Sequence, residues 1–244
     1  RIKCKNFESF CSHMHQEHLM EVRRESNYKE QGKPYNEYVL SNLNFLYEAL
    51  KSIGINATLT REPGGSPGAE EIRNLLVNGA PERWDPVTET LLHCAARRDH
   101  INYSLLPELT EGHWVLTDRF GDSTMAYQGY GHGVNKKALY NLQQFVAGNI
   151  QPDMTIILDL PIKLGLARAE KRSLVNPCNK IDNKESRYES MSSDFHERLR
   201  KGFLSIAKNN RKRCVVIDTT RSIEEIRLTI QSLVFKKFGL DKNE

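Results

Sequence analysis

Short apolar runs that alternate with longer amphipathic segments constrain the fold of this chain more than any other feature. Runs rich in β-branched residues predict strands at 57–60, 114–117, 154–160 and 214–218. Apolar residues at three- and four-residue spacing predict helices at 38–53, 69–77, 89–103, 136–147, 163–171, 192–208 and 223–238. Strands that alternate with helices form parallel sheets covered on both faces. The expected fold class is therefore α/β.

The composition excludes several classes of protein. The chain has 244 residues, of which 39% are hydrophobic and 27% charged, as expected of a soluble globular protein. A net charge of +4 is too small for the basic surface of a nucleic-acid-binding protein. No apolar run approaches the roughly 20 residues of a membrane span. The 5 cysteines are an odd number and lack paired spacing.

Residues 59–65, Leu-Thr-Arg-Glu-Pro-Gly-Gly, place a cation and a carboxylate after a predicted strand. Pro63 fixes φ, and the two glycines that follow allow close approach of the backbone to a ligand. Open α/β sheets bind their ligands at the carboxyl ends of the strands, where this segment is expected to lie. Taken alone, an ordinary strand-to-helix turn explains the segment equally well.

Residues 114–120, Trp-Val-Leu-Thr-Asp-Arg-Phe, end a second apolar strand in Asp118 and Arg119. A carboxylate at this position can hold Mg²⁺ directly or through water, and an arginine can bind a phosphate by two parallel hydrogen bonds. This pair suits phosphoryl transfer, which depends mainly on positioning and charge neutralisation. A structural ion pair at the strand end is the alternative.

Two further segments complete a recognisable pattern. Residues 90–100 read Thr-Leu-Leu-His-Cys-Ala-Ala-Arg-Arg-Asp-His, and residues 122–129 read Asp-Ser-Thr-Met-Ala-Tyr-Gln-Gly. Together with 59–65 and 114–120, in this order, they resemble bacterial thymidylate kinases from about residue 46 to the C-terminus. The resemblance implies a P-loop nucleoside-monophosphate-kinase-like fold and a transferase that phosphorylates dTMP to dTDP in nucleotide biosynthesis. It also implies ATP as phosphoryl donor, Mg²⁺ and a homodimeric assembly. Together with the odd number of cysteines, a kinase favours reduced thiols and a cytoplasmic location.

The resemblance assigns roles at the phosphate end of the acceptor site. Asp118 is expected to be catalytic, near the metal and the phosphates, and Arg119 to bind the dTMP phosphate. Arg73 is expected to contact the same phosphate, unless it pairs with Glu70 on a solvated helix face. Glu62 is a weaker assignment, as a carboxylate near the phosphates or the metal.

The resemblance also assigns the base end of the site. Arg97 is expected to hydrogen-bond the thymine, and Thr124 and Gln128 to lie at its edge, although both could lie on a helix surface instead. His93 stands where the family usually has a phenylalanine that stacks on the base. Because imidazole has less apolar area than phenyl and can carry a charge, either base affinity is reduced or His93 points elsewhere.

Arg168 and Arg172 lie four positions apart and share one face of a predicted helix. In the family this region, here about 168–189, is a lid that closes over ATP, and its arginines can neutralise charge on the transferring phosphate. A basic solvated helix face explains the two arginines equally well. Residues 187–189, Arg-Tyr-Glu, resemble the Arg-aromatic-Glu that follows the lid in the family.

Residues 1–35 depart from the family, which begins with a buried strand and a phosphate-binding loop of the form G-x-x-x-x-G-K-[ST]. Here Gly32 and Lys33 are followed by Pro34, which has neither the N–H nor the hydroxyl that the loop requires. The polar residues 23–31 do not predict a central strand. Lys33 is therefore only a weak candidate for ATP binding. We expect residues 1–35 to be a non-matching, poorly ordered segment, with first strand and P-loop missing or replaced, ahead of a thymidylate-kinase-like domain at 36–244.

Different functions remain open at this point. The chain is a dTMP kinase with an impaired donor site, or a catalytically inactive dTMP-binding protein with a replaced N-terminal arm. In a third interpretation the N-terminus results from a shifted reading frame, since the codons for residues 29–34 permit Gly-Ala-Gly-Lys-Thr in another frame. ADP production separates the first two, and the nucleotide sequence tests the third.

Overall fold

The structure, a computed structural model, describes residues 19–24, 35–78, 80, 82–162, 188 and 191–240, with the backbone alone for 19–24 and 35–38. The strands are β1 Leu19–Arg24, β2 Ala57–Arg61, β3 Trp114–Asp118, β4 Met154–Asp159 and β5 Cys214–Asp218. The helices are α1 Tyr35–Ser52, α2 Pro67–Val77, α3 Pro86–His100, α4 Leu106–Thr110, α5 Gly121–Thr124, α6 Lys136–Ala147, α7 Ser193–Asn209 and α8 Ile223–Phe238, with π-helical turns at Ile101–Leu105 and Met125–Gly131.

The strands form one parallel sheet in the order β2-β3-β1-β4-β5. The predicted α/β class is therefore confirmed. Parallel strands place all their carboxyl ends at one edge of the sheet, and this edge receives the segments that follow β2 and β3. None of the helices described is both long and apolar enough to cross a membrane.

The central strand comes from the segment in which the sequence predicted none. In β1, Met20 aligns with Leu116 of β3 on one side and with Met154 of β4 on the other. The prediction considered only the polar residues directly before Gly32, whereas the strand begins upstream, at Leu19. Strands β3 and β4 would otherwise leave backbone N–H and C=O groups unpaired at the centre of the sheet, which favours an extended segment between them.

The boundary predicted at residue 35 marks where the resemblance to the family ends. It is not a boundary of the folded structure, because β1 belongs to the same sheet as β2 to β5. Residues 25–34, which include the candidate Lys33, lie outside the described residues. The lack of a phosphate-binding loop stays a prediction from the sequence.

Helix α1 covers one face of the sheet with the apolar stripe that its sequence predicts. Its residues Val39, Leu43, Leu46 and Leu50 are buried, and they pack in one cluster with residues of β3, β4 and α8. Each such side chain contributes on the order of 1.5–3 kcal/mol to stability by leaving water. The helix ends at Ser52, and Gly54 follows with a φ of 83°, as expected of a glycine after a helix C-terminus.

The other face is covered by α7 and by the helical segment 121–131. Ile157 of β4 packs there with Phe195, Leu199 and Phe203 of α7 and with Tyr127. The helices α6 and α8 have the bounds that their periodicity predicts. The helical segment 121–131 was not predicted, because it is short and rich in glycine and polar residues. The predicted helix 163–171 lies outside the described residues.

Candidate active site

A pocket opens at the carboxyl ends of β2 and β3, between α3 and the helical segment 121–131. It is lined by the predicted residues Glu62, His93, Arg97, Arg119, Thr124 and Gln128, together with Pro63, Ser123, Tyr127 and Tyr188.

Helix α3 supplies one wall of this pocket. The helix begins at Asp85, whose carboxylate accepts two backbone N–H groups of the first turn. Its residues Glu89, His93, Arg97 and His100 recur at three- and four-residue spacing, so they share one face. Three of them are almost completely buried, with exposures of 1% for Glu89, 2% for Arg97 and 0% for His100. A polar stripe therefore points inward, where a structural helix would carry apolar side chains.

The Arg97 guanidinium is held by hydrogen bonds from all three of its nitrogens. Its acceptors are Glu62 Oε2 at 2.7 Å, Thr124 Oγ1 at 3.0 Å, Gln143 Oε1 at 3.0 Å and the Phe120 carbonyl at 3.1 Å. A buried guanidinium with these partners keeps one orientation at the pocket wall. The structure thus fixes the predicted base-binding arginine in place before any ligand arrives.

Glu62 is the buried counter-ion of Arg97. Its other carboxylate oxygen lies 3.1 Å from His100 Nδ1. Its backbone N–H donates to the Asp118 carbonyl at 2.9 Å, which ties the end of β2 to the end of β3. These contacts make Glu62 a positioning group for Arg97. A contact of Glu62 with phosphate or metal stays a prediction.

His100 connects this ion pair to the glycine turn. Its Nε2 lies 2.7 Å from Thr60 Oγ1. A Cβ atom at Gly65, where φ is +88°, would come within 2.5 Å of the same Nε2. Residue 65 must therefore be glycine, both for its backbone conformation and for the close approach of the imidazole.

Arg119 has the only positive φ among the described non-glycine residues, at 77°. A left-handed backbone costs an L-residue about 1–2 kcal/mol, and such conformations cluster at ligand sites. The Thr117 hydroxyl donates to the Arg119 carbonyl at 3.0 Å and holds the turn. The guanidinium lies over the Tyr127 ring, 5.1 Å from its centroid, at the pocket wall.

Asp118, the residue before Arg119, ends β3 at the same edge of the sheet but does not line the pocket. Its side chain is partly buried. The described residues contain no group of three or more His, Cys, Asp or Glu side chains arranged to hold a metal. Asp118 as a Mg²⁺ ligand stays a prediction.

Arg73 does not line the pocket but contacts Pro63, which does. Its Nη1 donates to the Pro63 carbonyl at 2.7 Å. Glu70 pairs with Arg61 at 2.9 Å and accepts the Gly65 N–H at 2.9 Å. Partial burial raises the pKa of Glu70, but the Gly65 N–H and the charges of Arg61 and Arg73 outweigh it, so this pKa lies below its usual range. Arg73 as a phosphate ligand stays a prediction.

Gln128 and Tyr188 both donate hydrogen bonds to the buried carboxylate of Glu89. Gln128 Nε2 donates to Glu89 Oε1 at 2.8 Å, and the Tyr188 hydroxyl donates to the same oxygen at 2.6 Å. His93 Nε2 lies 3.2 Å from the Tyr188 oxygen. Gln128 and Thr124 are 1% and 6% exposed, so neither lies on a helix surface.

Several residues of this site were assigned no role from the sequence. They are Glu89, His100, Tyr127 and Tyr188. The inward polar stripe of α3 was a usable signal for the first two, since charged residues at helical spacing rarely fall on a buried face. Lys33, Arg168 and Arg172 lie outside the described residues, so their predicted roles stay predictions.

Comparisons with known proteins agree with this geometry. The family model described as thymidylate kinase matches residues 41–230. A thymidylate kinase of Caulobacter vibrioides is 48% identical over 195 residues, which span 80% of this chain and 89% of that protein. One from Dinoroseobacter shibae is 45% identical over 181 residues, 74% of this chain and 83% of that protein. The crystal structure of thymidylate kinase from Ehrlichia chaffeensis superimposes with a TM-score of 0.64 at 29% identity, covering 89% of this chain and 98% of that one.

Proposed function

The chain belongs to the thymidylate kinase family, and we propose that the pocket around Arg97 and Arg119 is its dTMP site. Thymidylate kinases phosphorylate dTMP to dTDP with ATP, so the chain is a nucleoside monophosphate kinase, a transferase of nucleotide biosynthesis. One observation carries the assignment of the site. A single pocket holds one arginine locked among buried acceptors and a second arginine on a left-handed backbone at a strand end.

The two arginines bind different ends of the ligand. Arg119, at the carboxyl end of β3, binds the dTMP phosphate through its planar fork of donors. Arg97, Thr124 and Gln128 surround the thymine, and His93 lies beside it at the pocket wall. Hydrogen bonds from buried groups make recognition selective, because a wrong base leaves them unpaired.

The donor side of the reaction centres on Asp118, at the end of β3. Asp118 offers a carboxylate oxygen, the type of ligand that Mg²⁺ accepts from proteins alongside phosphates and water. In this proposal Asp118 holds Mg²⁺ directly or through water, and the ion, when bound, neutralises charge on the phosphates. Arg73 adds a cation near the acceptor phosphate. Glu62 acts through Arg97.

The residues of the lid and of the N-terminal segment enter the proposal from the family resemblance alone. Arg168 and Arg172, in the lid at about 168–189, neutralise charge on the transferring phosphate. Lys33 is a weak candidate for ATP binding, since Pro34 follows it. This departure from the family favours a second candidate function, a dTMP-binding protein without catalysis.

Assembly and location also belong to the proposal. Val87 and Leu91, one turn apart on α3, are 56% and 53% exposed, and Tyr140 and Phe145 on α6 are 58% and 85% exposed. Exposed apolar side chains of this size favour a homodimer that covers them, which light scattering after gel filtration would test. Cys94, a buried free thiol, is consistent with a cytoplasmic location.

ADP release by the 244-residue chain with dTMP and Mg-ATP tests the proposed function, with an intact thymidylate kinase assayed in parallel. Turnover that requires dTMP supports the kinase. Folded protein that binds dTMP but releases no ADP supports the second candidate. Protein that neither binds dTMP nor turns over contradicts both.

A further inference from the structure

Resting on the proposed dTMP site, we propose that Glu89 is a positioning residue for base selection. Its carboxylate holds the side-chain amide of Gln128 so that the amide oxygen faces the pocket as a hydrogen-bond acceptor. The base that this arrangement selects carries an N–H at the facing ring position, as the imide of thymine does.

The burial of these two side chains makes their pairing a fixed part of the site. Glu89 and Gln128 are each 1% exposed, and they face each other from α3 and from the π-helical turn Met125–Gly131. Gln128 Nε2 lies 2.8 Å from Glu89 Oε1. Breaking this bond would leave a buried carboxylate with one donor fewer, which is strongly unfavourable.

The chemistry of the partner determines which way the amide points. An ionised carboxylate accepts hydrogen bonds and donates none, so only the NH₂ end of Gln128 can face Glu89. The carbonyl end of the same planar group is then directed away from Glu89. Because Gln128 lines the pocket, the oxygen is the atom that it offers to a ligand. A neutral side chain that can both donate and accept at position 89 would leave both orientations of the Gln128 amide accessible.

A carbonyl oxygen at this place discriminates between pyrimidines. Thymine presents a ring N–H at position 3, which donates to the oxygen. Cytosine presents an unprotonated nitrogen at the same position, and two acceptors that face each other lose a hydrogen bond on both sides. Glu89 does not line the pocket itself and acts on the facing ring position through Gln128, so its effect falls on the choice of base.

The same carboxylate also orients Tyr188, near the C-terminal end of the proposed lid. The Tyr188 hydroxyl donates to Glu89 Oε1 at 2.6 Å, so its oxygen can accept from His93 Nε2, 3.2 Å away. His132 Nε2 lies farther from Glu89, at 4.0 Å. One carboxylate oxygen therefore sets the direction of hydrogen bonds on two sides of the pocket.

The test compares the affinities of dTMP and dCMP by isothermal titration calorimetry, which needs no turnover. We expect the unsubstituted chain to bind dTMP on the order of 100-fold more tightly than dCMP. In Glu89→Gln the partner is a neutral amide of the same shape, so Gln128 can turn over, and we expect the ratio to fall about tenfold. Glu224→Gln, an exposed change on α8, is the matched control and leaves the ratio unchanged.

A double variant separates positioning from a general loss of packing. In Glu89→Gln/Gln128→Glu the amide at position 89 donates and the carboxylate at position 128 accepts, so an acceptor again faces the pocket. We expect the dTMP:dCMP ratio to recover, although both affinities fall because a charge has moved toward the ligand. A purely structural role for Glu89 predicts no recovery.

The outcomes distinguish this inference from the function on which it rests. If the unsubstituted chain fails to bind dTMP, the proposed site is wrong and the inference falls with it. If dTMP binds and folded Glu89→Gln keeps the original ratio, only the inference is overturned. Should Glu89→Gln not fold, Glu89→Asp replaces it, because the shorter side chain withdraws the carboxylate from the Gln128 amide; an unchanged dTMP:dCMP ratio there overturns the inference, and a lower ratio supports it.

Discussion

The inner side of the pocket, formed by Glu62, Arg97 and Gln128, differs in how it holds its charges from a more exposed region that we call the rim. The rim consists of Arg119 at the pocket wall and the neighbouring ion pair of Arg61 and Glu70. The inner ion pair is 4% exposed at Glu62 and 2% at Arg97, whereas the rim pair is 42% exposed at Glu70 and 48% at Arg61. Both pairs have close nitrogen–oxygen contacts, 2.7 Å inside and 2.9 Å at the rim. Burial, and not distance, separates the two sides.

The difference matches what each side has to recognise. A base is distinguished by the positions of single donors and acceptors, which requires side chains that cannot reorient when a wrong base enters. A phosphate presents oxygens in several directions, and a charge near the surface attracts it without such exact placement. We therefore expect changes on the inner side to affect stability and selectivity, and changes at the rim to affect affinity.

The largest expected effect is on the inner side. Glu62→Gln removes the counter-ion of a buried arginine, and breaking a buried pair in this way costs about 3–5 kcal/mol of stability. Urea unfolding at pH 7 measures the loss. The same change at the rim, Glu70→Gln, is the control and should cost less than about 1 kcal/mol. Equal losses for the two variants would contradict the comparison.

At the rim we expect Arg119→Ala to weaken dTMP binding about 100-fold, which corresponds to about 2.7 kcal/mol. The guanidinium provides paired, charge-assisted hydrogen bonds to a phosphate, and alanine provides none. Arg119→Lys keeps the positive charge but lacks the planar fork of donors, so its affinity for dTMP should lie between those of the unsubstituted chain and Arg119→Ala. Calorimetric titration with dTMP measures all three, and retained affinity in Arg119→Ala would overturn the assignment of the phosphate site.

Two glycines test how tightly the inner side is packed. Gly65→Ala places a methyl group against Thr60 and His100 on a backbone with a φ of +88°, whereas Gly54→Ala has a similar φ of +83° and no atom within 4 Å. Both substitutions carry the left-handed penalty, about 1–2 kcal/mol. Gly65→Ala should lose roughly 2 kcal/mol more through overpacking. Urea unfolding compares them, and similar losses would show that the turn relaxes freely.

The smallest expected effect concerns how the stability contributed by Glu70, at the rim, depends on pH. Because the pKa of Glu70 is lowered in the folded state, the folded protein binds fewer protons there than the unfolded chain. The contribution of Glu70 to the free energy of unfolding is complete above the pKa of a glutamate in the unfolded chain, about 4.3. It is lost as the pH falls through the lower pKa of the folded state. Unfolding of the chain and of Glu70→Gln between pH 3 and pH 7 should show curves that converge in acid; curves that stay parallel would contradict this.

The sequence predicted most of the elements, because each carried its own periodicity. The apolar stripe of α1 and the alternation of β2 to β5 with helices follow from local patterns that the folded chain preserves. The strand β1 could not be found in this way. Its place depends on two neighbours, β3 and β4, that lie far along the chain, and its own residues are a mixture of apolar and charged types.

At the site, the family resemblance located the residues of the pocket but not the way in which they are held. Gln128 was identified as a base contact, whereas the carboxylate of Glu89 that orients it lies 39 positions earlier. Glu62 was expected near the phosphates or the metal, which stays a prediction, whereas its contacts with Arg97 and His100 were not foreseen. Partners of this kind depend on distances between separate elements, which residue types alone do not specify.

The position of β1 in the sheet has a consequence for how the chain acquires its structure. Strands β2 and β3 form one half of the described sheet, β4 and β5 form the other, and β1 joins the two halves. Its first partner, β3, is synthesised some ninety residues later, and its second, β4, later still. Such a high contact order slows folding. The first of the described strands to leave the ribosome is therefore among the last to pair, and until it does, no strand joins the two halves of the described sheet by hydrogen bonds.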